Sequence, residues 1–256
     1  MIHSSAIIDS TAKIADGVTI GHGAFIGADV EIAEGTWIGP HAMIQGPTQI
    51  GAYNKIFQFT SIGDEPQDLT YAGEKTILKI GDYNIIREYT TISRGTVKGG
   101  GITSLGDHNF MMAYTHIGHD CAIKNNVILI NHSSLSGHVL VDDYAIIGGY
   151  SAVHQFCHIG AYAFIAKATY IAKDVLPYLM VNGYDPVPCG INTVGLKRNG
   201  FSSEVIDVLR RAFKIIFRKS LTTQQAAEVI EEMAVTTPEL LLMVNAIKQS
   251  KRGILR

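Results

Sequence analysis

Isoleucine recurs at every sixth position in the first quarter of the chain, with small and polar residues between. The series is Ile8, Ile14, Ile20, Ile26, Ile32, Ile38, Ile44, Ile50, Ile56 and Ile62. It resumes at Ile80, slips by one residue after Ile92, and then continues from Leu105 to Ile171 with other aliphatic residues. Neither a helix nor a strand has a period of six. The period predicts hexads of one short strand and one bend, with the aliphatic side chain inside and a turn residue, often glycine, at the corner.

Two stretches interrupt this period. Residues 64–79 contain a proline and a glycine, residues 96–104 are rich in glycine, and both stretches lack the repeat, so we expect them to be loops inserted into the coils. Long loops on a rigid scaffold often carry function. We therefore predict a β-helix over residues 1–176 with two projecting loops.

The pattern becomes helical after the repeat ends near Asp174. Three prolines between residues 177 and 188 predict a linker. Capping residues then predict three helices, which begin near Ser202 or Ser203, at Thr222 and at Thr237. Residues 177–256 are thus expected to form a linker and a small helical domain.

Composition and charge narrow the class of protein. No signal peptide or run of roughly 18 apolar residues is present, and three cysteines without C-x-x-C spacing fit free thiols in a reducing cytoplasm. Residues 1–176 carry 10 Lys/Arg against 16 Asp/Glu, a formal charge of −6, whereas residues 177–256 carry 11 against 7, or +4. The acidic body disfavours nucleic-acid binding, and the basic tail suits an acidic partner.

The hexads resemble those of the hexapeptide-repeat transferase superfamily. That resemblance implies a left-handed parallel β-helix with three hexads per coil, so residues 18 apart stack about 4.8 Å apart on adjacent strands. His119 is then expected beside Gly137, and Gly137 beside Gln155, with His138 and His154 in the same patch. A cluster of histidines on three successive coils predicts a functional site.

The stretch THIGHDCAIKNN, residues 115–126, allows two kinds of chemistry at this cluster. His116 and His119 could hold zinc as in γ-type carbonic anhydrases, but an H-x-x-H pair binds one metal best on a helix, and we expect no metal. His119 could instead act as a general base on a hydroxyl that attacks a thioester, with Asp120 fixing its tautomer. Asp120 would reach it only through a bend or from a neighbouring coil or subunit. A catalytically silent scaffold is a further alternative.

Six motifs spread over the whole chain resemble the family of acyl-ACP–UDP-N-acetylglucosamine O-acyltransferases. They are QDLTYAGE (67–74), RGTVKGGG (94–101), HIGHDC (116–121), SGHV (136–139), VHQFC (153–157) and GLKRNGF (195–201). The resemblance implies a cytoplasmic homotrimer without a cofactor of its own. It would transfer a 3-hydroxyacyl chain from acyl carrier protein to the 3-hydroxyl of UDP-N-acetylglucosamine, the first step of lipid A synthesis.

The resemblance also assigns roles to individual residues. His119 would be the general base, Asp120 its supporting carboxylate, and the backbone N–H of Gly137 the oxyanion donor. Asp68 would contact the glucosamine, and Asn192 and Arg198 the nucleotide, with Arg198 at the diphosphate. The substrate-binding residues are Gln67, Asp68, His116, His138, His154, Gln155, Asn192 and Arg198.

Three positions depart from the family pattern. Thr70 replaces a lysine, which removes a cation from the sugar pocket, and Val194 replaces an acidic residue. Both changes leave open N-acylation of a 3-amino sugar nucleotide. Lys167 stands where members that use long chains carry glycine, which implies a shorter acyl chain.

Overall fold

The computed structural model describes residues 1–256 and shows a three-sided prism of short parallel strands with helices at its C-terminal end. Successive hexads contribute strands to three sheets in turn, so strands of one sheet come from successive coils. The prism thus matches the predicted β-helix.

The strands divide among the sheets as follows. The nine-stranded sheet contains β1 (Ile7–Ile8), β4 (Phe25–Ile26), β7 (Met43–Ile44), β10 (Ser61–Asp64), β13 (Thr91–Ser93), β16 (His116–Ile117), β19 (Ser134–Leu135), β22 (Ala152–Val153) and β25 (Tyr170–Ile171). The eight-stranded sheet contains β2 (Lys13–Ile14), β5 (Val30–Ile32), β8 (Thr48–Ile50), β11 (Ile77–Ile80), β14 (Ile102–Leu105), β17 (Ala122–Ile123), β20 (Leu140–Val141) and β23 (His158–Ile159). The ten-stranded sheet contains β3 (Thr19–Ile20), β6 (Trp37–Ile38), β9 (Lys55–Ile56), β12 (Ile85–Ile86), β15 (Phe110–Met111), β18 (Ile128–Leu129), β21 (Ile146–Ile147), β24 (Phe164–Ile165), β26 (Leu179–Asn182) and β27 (Val187–Ile191).

The register explains why the period slips only once. Ile117 pairs with Leu135, 18 residues later, as predicted. Ser61 pairs with Thr91 across the first insertion, and Thr91 pairs with His116 across the second, so these two coils have 30 and 25 residues. The first coil therefore gains 12 residues, or two hexads, and keeps the phase, whereas the second gains 7 and shifts it by one.

The aliphatic hexad residues form the core of the prism. From Ile20 to Ile171 each of them is at most 4% exposed. Burial of each such side chain contributes roughly 1.5–3 kcal/mol relative to an exposed one, so the repeat supplies the main stabilisation of the prism.

Most corners of the prism use left-handed backbone at a residue other than glycine, with φ between 54° and 70°, whereas Gly17, Gly23 and Gly35 form corners of the first coils. Corner 1, between the nine- and eight-stranded sheets, includes Asp120, His138 and Phe156. Corner 2, between the eight- and ten-stranded sheets, includes Tyr53, Tyr83, His108, Asn126, Tyr144 and Tyr162. Corner 3, between the ten- and nine-stranded sheets, includes His41, Phe59, Tyr89, Tyr114, His132 and Tyr150. At corner 3 these rings stack coil upon coil with centroids 4.6–5.6 Å apart, which offsets part of the backbone cost.

The glycines that follow the aliphatic residues have a different purpose from the predicted one. Gly118 is not in the left-handed region, but a Cβ there would lie 2.9 Å from the backbone nitrogen of Gly137 in the next coil. Glycine is therefore required for the close approach of two coils, and the left-handed corner residue comes two positions later, as Asp120 does after Gly118.

The stretch predicted as a linker contains two strands. β26 continues the ten-stranded sheet in parallel with β24, and β27 pairs with β26 antiparallel. One apolar cluster of 55 buried residues runs from the coils into the helices, so the domain boundary at residue 176 stays a prediction.

Four helices follow: α1 (Thr193–Arg198), α2 (Ser203–Arg218), α3 (Thr223–Ala234) and α4 (Leu240–Gln249). Ser202 caps α2 and Thr222 forms a capping box with Gln225 at α3, as the sequence predicted. The sequence did not predict α1, and α4 begins three residues after Thr237. None of the helices combines the length and apolar character needed to span a bilayer.

Candidate active site

Both inserted loops and the His119 turn lie at corner 1. The first loop, residues 65–76, joins β10 to β11, and the second, residues 94–101, joins β13 to β14. His119 lies between β16 and β17, one coil further on. The loops are shorter than the predicted 64–79 and 96–104, because Ile77 and Ile102 already pair as strand residues. Three successive coils therefore build one site along one edge of the prism.

His119 and Asp120 form a hydrogen-bonded pair although they are adjacent in sequence. The left-handed backbone of Asp120 (φ 60°) turns its carboxylate back, and Oδ2 lies 2.8 Å from His119 Nδ1. Of the routes that the sequence left open, the bend is the one observed. Nδ1–H donates to the carboxylate, so Nε2 is the nitrogen available to accept a proton.

Groups that the sequence analysis did not single out stabilise the Asp120 carboxylate. Its side chain is fully buried, and the Thr96 backbone N–H and hydroxyl donate to Oδ1 at 2.7 Å and to Oδ2 at 2.6 Å. The Asp120 N–H donates to Thr103 Oγ1 at 2.8 Å. A buried charge needs such partners, and they also fix its direction. The second loop is thus part of the support of His119.

Gly137 lies against the ring of His119, as the coil period predicted. A Cβ on Gly137 would be 2.6 Å from His119 Cε1 and 2.8 Å from Nε2. The Gly137 N–H donates to no protein acceptor, whereas the next residue, His138, donates to the His119 carbonyl at 2.9 Å. A free backbone donor therefore lies beside the available nitrogen of the histidine.

The other histidines flank this pair. His138 lies 5.2 Å from His119 between ring centroids and stacks on Phe156 at 4.3 Å. His116 Nδ1 lies 2.8 Å from Thr91 Oγ1. Burial lowers the pKa of both His116 and His138; for His116 the neighbouring His119 lowers it further, whereas Asp120 partly opposes the effect at His138. Both rings are therefore neutral near pH 7 and can donate or accept hydrogen bonds.

His154 and Gln155 lie one coil beyond His138. His154 Nδ1 is 3.2 Å from the Gln155 carbonyl oxygen, and its ring packs edge-on against Tyr170 at 6.3 Å. His154 is half-buried and Gln155 is exposed at corner 1. These two residues extend the polar patch along the edge of the prism.

The first loop brings Asp68 towards the histidines. Asp68 Oδ1 accepts from the N–H and the hydroxyl of Thr70, both at 2.9 Å, and these bonds lower the pKa of its carboxyl, with smaller contributions from Lys98 and His119. Gln67 is exposed and forms no hydrogen bond with the other site residues. Asp68 is therefore ionised and available to a ligand at neutral pH.

Arg94, which the sequence analysis quoted only as part of a motif, supports the first loop. Its guanidinium donates to the Gly63 carbonyl and the Tyr71 hydroxyl, each at 3.0 Å, and is nearly buried. Arg94, at the start of the second loop, is thus hydrogen-bonded to the first loop and to the strand before it.

Three of the predicted residues lie away from corner 1. Asn192 caps α1 through Gly195 N–H at 3.1 Å and donates to the Tyr162 carbonyl at 3.0 Å, at corner 2. Arg198 is exposed at the end of α1. Lys167 is exposed at corner 3, beyond the other edge of the nine-stranded sheet. One chain does not bring these residues to His119.

The groups that could hold a metal in the structure differ from the His116 and His119 pair that was considered, and not favoured, from the sequence. The ligand atoms of His119, Asp120 and His138 lie within 4.8 Å of one another. Asp120 Oδ2 already accepts from His119 and Thr96, so a cation there would displace the hydrogen bond that orients His119. The geometry favours a hydrogen-bonded base.

Comparisons with known proteins point to one family, and the relatives cover the full length of the chain. Residues 174–255 match a family model described as "Udp N-acetylglucosamine O-acyltransferase; Domain 2". Proteins named acyl-[acyl-carrier-protein]–UDP-N-acetylglucosamine O-acyltransferase are 49% identical in Stutzerimonas stutzeri and 52% in Pseudomonas putida, over 256 and 255 residues, covering 100% of this chain and 99% of each relative. A solved structure, the UDP-N-acetylglucosamine acyltransferase of Francisella novicida, is 48% identical with a TM-score of 0.98, covering 100% of this chain and 94% of that one.

The fold and these similarities define an acyltransferase built on a left-handed parallel β-helix of hexapeptide repeats. The chain belongs to the family of acyl-ACP–UDP-N-acetylglucosamine O-acyltransferases. The predicted fold class, family and enzyme class are thereby confirmed.

Proposed function

We propose that the chain transfers an (R)-3-hydroxyacyl group from acyl carrier protein to the 3-hydroxyl of UDP-N-acetylglucosamine, the first step of lipid A synthesis. The observation that carries this proposal is the His119–Asp120 pair, with its buried carboxylate and its free Nε2 beside the Gly137 N–H. The names of the close relatives supply the two substrates.

The reaction requires one base and one oxyanion donor. His119 Nε2 takes the proton of the sugar hydroxyl while its oxygen forms a bond to the thioester carbonyl carbon. The carbonyl electron pair moves to the oxygen, which the Gly137 N–H stabilises. When the tetrahedral intermediate collapses, the C–S bond breaks and the thiolate takes the proton from the His119 imidazolium. Asp120 stabilises that imidazolium, and no metal or resident cofactor takes part.

The remaining site residues are proposed to bind substrate. Asp68 is ionised, so it suits hydroxyl groups of the glucosamine. His116, His138, His154 and Gln155 line the edge along which the thioester arm would lie, and Gln67 lies at the exposed side of the first loop. The tail carries the formal charge of +4 that suits acidic acyl carrier protein.

Product analysis tests the reaction and the acceptor atom together. The protein is incubated with 3-hydroxyacyl-ACPs of several chain lengths and UDP-N-acetylglucosamine, and in parallel with its 3-amino analogue. We expect a hydroxylamine-labile ester on UDP-N-acetylglucosamine, detected by mass spectrometry, and a short preferred chain if Lys167 limits its length. Amide formed from the amino sugar alone would move the acceptor from oxygen to nitrogen, and no transfer to either sugar would overturn the proposal.

We also propose that the protein acts as a homotrimer with sites between subunits. In one chain corner 1 is an open edge, and a concavity of about 850 Å³ lies over the eight-stranded sheet and includes none of the proposed site residues. Asn192 and Arg198 lie towards corner 2, across that sheet from His119. Threefold rotation can place corner 2 of one subunit beside corner 1 of the next.

Mixing two inactive variants tests this arrangement. If His119 and Arg198 of one site come from different subunits, His119→Ala and Arg198→Ala chains refolded together in equal amounts should regain about one quarter of the wild-type sites, since each interface pairs two chains at random. Each variant refolded alone is the control. Activity no higher than that of the separate variants would place both residues in one subunit.

A further inference from the structure

We propose that Lys98 binds the diphosphate of the sugar nucleotide, on its sugar side, and replaces the cation that Thr70 does not supply. This inference rests on the proposed function and adds a substrate-binding residue to it. Lys98 lies on the short 3-10 turn Val97–Gly99 of the second loop.

The first observation is the position of the ammonium group. Lys98 Nζ donates to Thr70 Oγ1 at 2.7 Å, so its charge lies at the residue where the family pattern has lysine. The Thr70 hydroxyl in turn donates to Asp68 Oδ1 at 2.9 Å. A positive charge from the second loop thus reaches the first loop beside the proposed sugar contact.

The second observation is that the turn carrying Lys98 is held against the Asp120 carboxylate. Thr96, two residues earlier, donates twice to the Asp120 carboxylate. Gly99, one residue later, packs so closely on that carboxylate that a Cβ there would overlap it. The position of Lys98 therefore depends on the same Asp120 carboxylate that orients His119.

The third observation concerns charge. Lys98 is exposed and takes part in no salt bridge, so its ammonium group is free for an anionic ligand. The first loop and its flanking strand residue carry Asp64, Glu65, Asp68 and Glu74 against one lysine, Lys75. That excess of negative charge would repel a diphosphate unless a cation offsets it.

The chemistry of the acceptor selects the group that Lys98 contacts. UDP-N-acetylglucosamine carries its negative charge on the diphosphate, and one phosphate is attached directly to the sugar ring. With Asp68 at the sugar hydroxyls, an ammonium group a few ångströms away is suited to that phosphate. A charge-assisted hydrogen bond of this kind is worth about 1.5–3 kcal/mol, or roughly 10- to 150-fold in affinity.

Calorimetric titration of the full-length protein with UDP-N-acetylglucosamine, UDP and UMP tests the assignment. In Lys98→Gln we expect Kd to rise about tenfold or more for the first two ligands and to change less than about twofold for UMP, which lacks the sugar-side phosphate. Lys75→Gln, an exposed lysine of the first loop, is the matched control and should bind all three like wild type. The double variant Thr70→Lys with Lys98→Gln should recover most of the loss.

Three results would overturn the inference: unchanged Kd values in Lys98→Gln, an equal loss for UMP, or no recovery in the double variant. Steady-state kinetics add a second readout, because KM should rise for the sugar nucleotide and not for the acyl carrier protein. Failure of the wild-type protein to acylate UDP-N-acetylglucosamine would instead count against the proposed function.

Discussion

Replacing His119 with alanine is expected to lower kcat about a thousandfold while leaving the fold intact. General-base catalysis by a positioned side chain contributes roughly 10²–10⁴ in rate, and no other histidine of the site forms a comparable bond to a buried carboxylate. His119 is partly exposed and lies outside the aliphatic core, so its removal leaves no large cavity. Initial rates of acyl transfer with both substrates saturating measure the loss.

His132→Ala is the matched control for this experiment. His132 is another histidine at a corner of the prism, but at corner 3, where it has left-handed backbone and stacks between Tyr114 and Tyr150. We expect its kcat to stay within about threefold of wild type. The circular-dichroism spectrum shows whether the His119→Ala variant is folded. If the folded variant keeps more than a tenth of the wild-type kcat, His119 is not the general base.

Gly137→Ala is expected to reduce kcat/KM by about a hundredfold or more, although it removes no functional group. The added Cβ would lie 2.6 Å from His119 Cε1 and 2.8 Å from Nε2, closer than real Cβ contacts allow. The ring must then turn away from Asp120, and the methyl group occupies the space that the attacking hydroxyl needs. Displacements of this size from a productive geometry typically cost about a hundredfold.

This variant tests the steric effect of a side chain alone, because alanine keeps the backbone N–H proposed as the oxyanion donor. Gly149→Ala is its control: Gly149 precedes Tyr150 at corner 3 as Gly137 precedes His138 at corner 1, and its Cβ would lie 3.1 Å from the Asn131 carbonyl oxygen. We expect Gly149→Ala to keep wild-type activity within about threefold. Gly137→Ala with full activity would show that His119 does not work in the position seen here.

The sequence predicted the prism well because a single physical rule generates it. One inward aliphatic residue per hexad determines the coil, and the coil determines which residues stack, so the contact between His119 and Gly137 followed from arithmetic. The corners were harder to predict. A period shows where the chain bends, but tyrosine or histidine in left-handed backbone is stabilised by stacking on adjacent coils, which depends on the folded structure.

Residues on the inserted loops could not be placed by the repeat. The side chains of Thr96 and Lys98 have directions that depend on how the second loop folds back. The sequence did place both loops in the coils just before the coil of His119. Because both loops replace the same corner of successive coils, that position is the signal that would have pointed to their residues as part of the site. Asn192, Arg198 and Lys167 lie away from His119 within one chain. The period of one chain cannot predict which residues a neighbouring subunit would bring to the site.

The two ends of the prism differ, and this makes the stability of the solenoid uneven along its axis. None of the first 17 residues is buried, whereas β26, β27 and the helices cover the opposite end, where Leu179 and Val181 are fully buried. The first coil can therefore fray at low cost, and each later coil opens only after the one before it. The coils that carry the proposed active site lie on the protected side of this gradient, so we expect thermal opening at the N-terminal end to leave the spacing of His119, Asp120 and Gly137 unchanged.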